Sequence, residues 1–267
     1  MNYKDFELRV EAVSHYGAGL SLLKMKAEGP LPEILPGQFV NVLAPKRAGV
    51  LLRRPISVCN VADGLLWLLV KDLGRGSKAI SECKKGEKLS VILPLGHGFT
   101  TDIAPDARLL LVGGGVGIAP LLYLGKKLYT QGNKPEFLLG ARSKTDLPLL
   151  DEFEKYGKLH ISTEDGSLGE KGLVTQHFRF VAHSDMIYCC GPMPMMRAVE
   201  ASAYTRGIEC EVSLENKMAC GLGACLCCVE DTVSGNECTC TKGPVFNRCA
   251  GTAQSRDDSI RHFRLRT

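Results

Sequence analysis

Between residues 5 and about 100, apolar and polar positions alternate with a period of two. Phe6, Leu8 and Val10 share one face and Glu7, Arg9 and Glu11 the other, and comparable runs recur at 20–26, 39–43, 56–61, 65–70 and 89–93. Turn signals separate them: Gly17-Ala18-Gly19, Gly29-Pro30, Leu35-Pro36-Gly37, Asp63-Gly64 and Gly86. Six short strands at this spacing predict a small antiparallel β-barrel. After Ala104-Pro105-Asp106 the rhythm changes. An apolar run at 109–112 leads straight into Gly113-Gly114-Gly115-Val116-Gly117, and a helical pattern follows from 120 to about 129. Further strands are expected at 136–139, 159–162, 186–190 and 209–213, with the clearest helix at 194–206. Strands alternating with helices predict a doubly wound parallel sheet. The stretch from about residue 214 is rich in Cys and Gly and too small to own a core, so a metal centre should organise it. The expected architecture is multi-domain, all-β plus α/β: a barrel over 1–101, an α/β domain over 102–213, and a cysteine-rich segment with a tail over 214–267.

Composition narrows the functional classes. Of 267 residues, 45% are hydrophobic and 23% charged, ordinary values for a globular chain. The apolar run at 65–70 is too short to span a bilayer, and the first ten residues alternate charged with apolar, unlike an export signal. Thirty-three basic against 29 acidic residues leave a net charge of +4 with no basic stripe, so neither nucleic acid nor membrane is an expected partner. Cysteine stands out. Of twelve, seven fall between Cys210 and Cys240, and Cys249 follows. In a chain expected to be cytoplasmic these thiols stay reduced, which favours metal ligation over a disulfide framework.

Four motifs carry chemistry. Cys220, Cys225 and Cys228 form C-x4-C-x2-C, and eleven residues separate Cys228 from Cys240; this is the spacing by which plant-type ferredoxins hold a 2Fe-2S cluster. Gly221, Gly223 and Ala224 let the backbone wrap closely and leave amides free to face sulfur. A four-cysteine zinc site is the competing reading, and Cys227 or Cys238 could replace a ligand. Gly113, Gly115, Gly117 and Pro120 form a glycine loop between a strand and a helix, the context in which backbone amides bind a pyrophosphate. Ile118 stands where a third glycine would be, and a tight turn without ligand is the alternative. Arg53-Arg54-Pro55-Ile56-Ser57 opens a strand with a cation suited to phosphate, and the run from Lys71 through Gly76 and Ser77 precedes a helix beginning near residue 78. Cys190-Gly191-Pro192 ends a strand at the carboxyl edge of the sheet, where open α/β sheets bind ligands. No neighbouring base marks Cys190 as a nucleophile; it is expected to line a nicotinamide pocket. The six histidines are scattered singly, and Met193, Met195 and Met196 suit helix packing.

In this order the motifs resemble the ferredoxin reductase superfamily. The stretch from Glu215 to Cys225, closed by Cys240-Thr-Lys-Gly243-Pro244-Val245-Phe246, is similar to the electron transfer subunits of two-subunit, NAD-linked dihydroorotate dehydrogenases. The resemblance implies that Arg54, Pro55, Ile56 and Ser57 bind FAD, with Leu69, Val70, Lys71, Gly76 and Ser77 lining the rest of it. It implies a 2Fe-2S cluster on Cys220, Cys225, Cys228 and Cys240, with NAD(H) as co-substrate. The implied partner is an FMN-containing dihydroorotate dehydrogenase catalytic subunit, in a heterotetramer of two of each, serving pyrimidine (UMP) biosynthesis. A nicotinamide moves electrons in pairs and a cluster singly, so a flavin belongs between them, and dihydroorotate itself needs no site here. Two features depart from the pattern: His97 stands where the family suggests Asn, and Arg142-Ser143 suits a 2′-phosphate, which leaves NADH against NADPH open. The alternatives are a related NAD(P)H:acceptor reductase subunit of the sulfide dehydrogenase or ferredoxin:NADP oxidoreductase type, and a binding module built on structural zinc.

Overall fold

A computed structural model describes residues 3–232 and 235–247. Cys249 and the arginine-bearing tail lie outside the described residues. The first part contains β1 (Lys4–His15), β2 (Leu20–Ala27), β3 (Phe39–Val42), β4 (Arg54–Ala62), β5 (Leu65–Lys71), the short helix α1 (Arg75–Ser81) and β6 (Lys88–Leu95). These six strands close into a barrel in the order β1-β2-β5-β4-β3-β6, with β6 returning to β1. The period-two pattern explains the closure: Leu8, Val10, Leu23, Met25, Leu68 and Val91 turn inward and are fully buried. α1 starts at Arg75, earlier than residue 78, because the Ser77 hydroxyl accepts the amides of Leu73 (2.9 Å) and Gly74 (3.0 Å) and closes the first turn.

The second part runs β7 (Leu109–Gly114), α2 (Ala119–Thr130), β8 (Glu136–Ala141), α3 (Leu150–Glu154), β9 (Lys158–Thr163), β10 (Glu170–Lys171), α4 (Phe178–Val181), β11 (Met186–Cys190), α5 (Met193–Thr205) and β12 (Glu209–Ser213). β10, α3 and α4 span two to five residues, too few for a periodic signal in the sequence. The segment beyond adds the hairpin β13 (Val229–Thr232) and β14 (Gly235–Cys238), α6 (Thr239–Lys242) and β15 (Val245–Asn247). The large sheet has the order β10-β9-β8-β7-β11-β12-β15, parallel except for β15, which runs antiparallel to β12. Successive connections from β7 lead first toward β8 and β9 and later, after β11, the other way. The order therefore reverses between β7 and β11, and ligand crevices of open α/β sheets form at the carboxyl ends of such a pair.

The barrel and the sheet domain share a core. Leu20, Leu22, Trp67 and Leu69 on the barrel's outer wall pack with Leu121, Leu124 and Phe137. Polar ties reinforce it: Tyr123 Oη donates to the Ile34 carbonyl (2.9 Å), Lys126 Nζ to the Val61 carbonyl (2.8 Å) and Tyr188 Oη to the Thr100 carbonyl (2.8 Å). Thr100, on the linker between the domains, also donates from its amide (2.9 Å) and hydroxyl to the buried Glu211 carboxylate. No helix among the described residues is long and apolar enough to cross a membrane.

Candidate functional site

A cavity of about 440 Å³ opens where all three parts meet. Arg54, Pro55, Ile56 and Ser57 from β4, and Leu69, Val70 and Lys71 from β5, form its barrel wall. Gly74, Arg75 and Ser77 come from the start of α1, Val116 and Gly117 from the glycine loop, and Leu214, Glu215, Asn216, Met218 and Pro244 from the C-terminal segment. Alternation along the chain separates the two arginines. Arg53 turns to the barrel exterior, where it meets Asp5 (2.9 Å) and the Ser90 carbonyl (3.1 Å), whereas Arg54 lies on the cavity side. Arg54 Nη1 donates to the carbonyls of Leu52 (2.8 Å) and Arg53 (3.1 Å). Its guanidinium rests directly on Gly76, at the place any larger residue would occupy. A cationic fork held over a glycine at one end, and apolar Ile56, Leu69 and Val70 farther along, suit an elongated ligand with a phosphate and a flat ring.

Gly113, Gly115, Pro120, Cys190, Gly191 and Pro192 are not on this cavity's wall. They build the crevice between β7 and β11, where Gly113 pairs with Cys190. The turn after β7 meets the end of β11 backbone to backbone: a Cβ on Gly117 would lie 2.6 Å from the Cys190 carbonyl oxygen and from the Gly191 nitrogen. Pro120 sits buried in the first turn of α2. Cys190 is itself buried, and burial, with the Glu215 carboxylate adding to it, raises its thiol well above the ordinary value, so it stays protonated. Glu215 reaches solvent, yet protein atoms crowd its carboxyl. That desolvation raises its pKa, and Lys71 opposes the rise.

Cysteines gather next to the cavity, where Phe39 of its wall packs with Cys228 and Cys240. Cys228 and Cys240 are buried, Cys220 is half-buried, and Cys225 and Cys227 are exposed. The Leu222 amide donates to Cys220 Sγ (3.3 Å) and the Cys240 amide to Cys228 Sγ (3.4 Å). Burial alone would raise Cys220, but the amides of Leu222, Cys225 and Ala224 and the Cys225 thiol hold it down to about 7. Cys240 is pushed up to about 12 by burial and the neighbouring Cys228 thiol. Cys238 is raised by its own desolvation and feels Cys228, Cys225 and Cys220, so five thiols share one neighbourhood. Among the described residues no three His, Cys, Asp or Glu side chains already surround a single metal position. A donor set of sulfur alone, with backbone amides aimed at two of the sulfurs, fits an iron–sulfur cluster.

Sequence reasoning missed Phe39, Leu73, Asn216, Met218 and Pro244 as cavity residues; their approach depends on topology and leaves no local signature. His97 is exposed and off the cavity wall, and its amide donates to the Gly243 carbonyl (2.7 Å). Arg142 is exposed just beyond β8, while Ser143 Oγ is engaged by Thr145 Oγ1 (2.8 Å) and Asp146 (3.1 Å).

Residues 215–249 match the iron-sulfur cluster binding domain of dihydroorotate dehydrogenase B, and residues 111–201 the oxidoreductase NAD-binding domain. The electron transfer subunit of dihydroorotate dehydrogenase B (NAD(+)) from Geobacillus kaustophilus is 39% identical over 219 residues, covering 79% of this chain and 84% of that protein. Its counterpart from Fusobacterium nucleatum is 37% identical over 235 residues, covering 84% and 90%. The chain belongs to this family of electron transfer subunits. Among solved structures, the NADH-dependent reduced ferredoxin-NADP oxidoreductase, described for flavin-based electron bifurcation, superposes with a TM-score of 0.81 at 30% identity, over 90% of this chain and 88% of that one. The ferredoxin reductase of carbazole 1,9a-dioxygenase shares the fold, with a TM-score of 0.68 at 22% identity, over 78% and 67%. The match over 215–249 selects the iron–sulfur reading of the dihydroorotate dehydrogenase B family over structural zinc.

Proposed function

We propose that this chain is the electron transfer subunit of an NAD-dependent dihydroorotate dehydrogenase, carrying electrons from a catalytic partner to NAD⁺ in pyrimidine biosynthesis. The observation that carries the reading is the cavity walled jointly by the β4–β5 strands, the glycine loop and the cysteine-bearing segment. In this reading Arg54, Pro55, Ile56 and Ser57, with Leu69, Val70, Lys71, Gly76 and Ser77, hold FAD. Cys220, Cys225, Cys228 and Cys240 hold the 2Fe-2S cluster, and Gly113, Gly115, Gly117, Pro120, Cys190, Gly191 and Pro192 frame the NAD site. When bound, the flavin supplies the exchange between single electrons from the cluster side and a hydride for the nicotinamide.

The chain's own residues supply position and charge. Arg54 offers free N–H donors to a phosphate, and Gly76 leaves room for it. Gly117 lets the nucleotide loop close on β11, bringing the crevice to the cavity edge. Amides around Cys220 stabilise its thiolate form. Ser77 Oγ also donates to the Gly74 carbonyl, so its part is to shape the turn. The partner is an FMN-containing catalytic subunit, two copies of each chain forming a heterotetramer in a reducing cytosol.

Co-expression with a dihydroorotate dehydrogenase catalytic chain tests the reading. The purified complex should contain FMN, FAD, iron and sulfide and reduce NAD⁺ with dihydroorotate. A complex without FMN, one inert toward dihydroorotate, or a chain holding zinc in place of iron would overturn it. Turnover only with ferredoxin and NADP(H) would favour a role like that of the structural neighbour at 30% identity.

A further inference from the structure

Among the described residues, two buried side-chain polar atoms beside the cysteine loop have no hydrogen-bond partner: Asn41 Oδ1 and Thr239 Oγ1. Asn41 is the more informative. It is 1% exposed, on a β3 strand whose other members are Phe39, Val40 and Val42. An apolar residue of similar size would avoid an orphaned carbonyl there. The other end of the amide is engaged. Nδ2 donates to the backbone carbonyl of Cys220, 179 residues away, at 2.8 Å. The approach needs glycine next door: Gly221 has φ +70°, and a Cβ on it would lie 2.7 Å from Nδ2. Phe39, two residues earlier and so on the same face of β3, lines the cavity and packs with Cys228 and Cys240.

We infer that Asn41 is a positioning residue for the iron–sulfur cluster: its amide pins the Cys220 carbonyl and so holds the 220–225 loop in the turn that aims the Leu222 amide at Cys220 Sγ. The inference rests on the cluster reading proposed above. Without the pin the loop relaxes and N–H···S hydrogen bonds weaken. The reduced cluster, which carries one more negative charge, loses more stabilisation than the oxidised one, so its potential falls.

Asn41→Leu removes the donor while filling the space, and Asn41→Asp keeps the shape but sets an acceptor against an acceptor. In the full chain purified with its flavin, both should retain FAD, titrate at a more negative cluster potential with altered EPR g-values, and lose iron to a chelator roughly tenfold faster or more. Gly221→Ala should reproduce these changes and add less in the Asn41→Leu background than alone, because both break one contact. Wild-type potential, g-values and iron loss in Asn41→Leu would overturn the inference. If that variant loses its flavin as well, Asn41→Ser is judged by the same criteria. A wild-type chain that binds flavin but never iron would refute the cluster reading instead.

Discussion

Replacing Arg54 with alanine should weaken FAD binding by about two orders of magnitude, and the structure shows why. A guanidinium has five N–H donors. Nη1 is committed to the carbonyls of Leu52 and Arg53, whereas Nε and Nη2 meet no protein acceptor among the described residues. Two charge-assisted hydrogen bonds from those atoms to a phosphate are worth about 1.5–3 kcal/mol each. Together they would give about 3–6 kcal/mol, or roughly 10²–10⁴ in Kd. Arg54 is only half-buried, so water competes for the same donors and the lower end applies. The assay is fluorescence quenching of FAD titrated into deflavinated protein. Arg54→Lys restores the charge but not the planar fork and should fall between wild type and alanine. Unfolding in urea should be nearly unchanged, since Nη1 caps only the carbonyls of Leu52 and Arg53, its immediate neighbours in the chain. An alanine variant that binds FAD within about threefold of wild type, a difference under 1 kcal/mol, would refute the assignment of Arg54 to the phosphate.

Gly117→Ala places a methyl against the backbone of Cys190 and Gly191, which no rotamer change relieves; urea denaturation should show a loss of about 1–3 kcal/mol, with weaker NAD⁺ binding. Cys225→Ser should lose cluster iron while Cys227→Ser keeps it, read by iron and sulfide per flavin; equal retention would remove Cys225 from the ligand set. His177 titrates below its ordinary 6.5 because burial disfavours the charged ring, with Glu170 opposing and His160 reinforcing the depression. Between the folded and unfolded values the unfolded chain binds the extra proton, so this stability is present above pH 6.5 and is lost as pH falls through the folded value. His177 Nδ1 also accepts the Arg179 amide (3.0 Å). His177→Asn keeps a capping acceptor without the titration, so its Tm should fall less than that of wild type between pH 7 and acid. Parallel Tm profiles would remove His177 as a source of acid sensitivity.

The barrel and the parallel sheet were legible because each signal is local. Period-two alternation marks β1 and β6, short apolar runs between turn residues mark other barrel strands such as β5, and the apolar run ending in Gly113-Gly114-Gly115 marks β7 with the loop after it. Arg54 to Ser57, Ser77 and Gly117 could be picked out for the same reason, whereas Leu69 to Lys71 followed from the family resemblance; all of these line the cavity, while Gly76, expected with them, lies against the Arg54 guanidinium and off the wall. Glu215, Met218 and Pro244 could not be placed on it, since their approach follows from β12 and β15 pairing across a segment that shows no periodicity. The motif at Cys190 points to a sheet edge, but only the packing reveals that the residue is buried, with its backbone carbonyl against Gly117, and off the cavity wall. Asn41 left no signal at all, because a lone Asn in an apolar strand reads as a surface position until its neighbour from residue 220 is known.

The C-terminal segment has no core of its own, and its attachments bear on electron transfer. Phe39 and Leu95 of the barrel form one apolar cluster with Cys228 and Cys240, so barrel side chains supply the packing behind two cysteines. Three backbone ties hold the far end: the Leu214 amide to the Pro244 carbonyl (2.9 Å), the His97 amide to the Gly243 carbonyl (2.7 Å), and β15 along β12. Residues 243–247 are thereby fastened to the barrel and the sheet at once, and Asn41 fastens the cysteine loop at the near end. A cluster carried on a free hairpin would meet the flavin at a range of separations. Here β3 presents Phe39 both to the cavity and to Cys228 and Cys240, so on the proposed reading a barrel strand and not a linker would set the distance between the two groups.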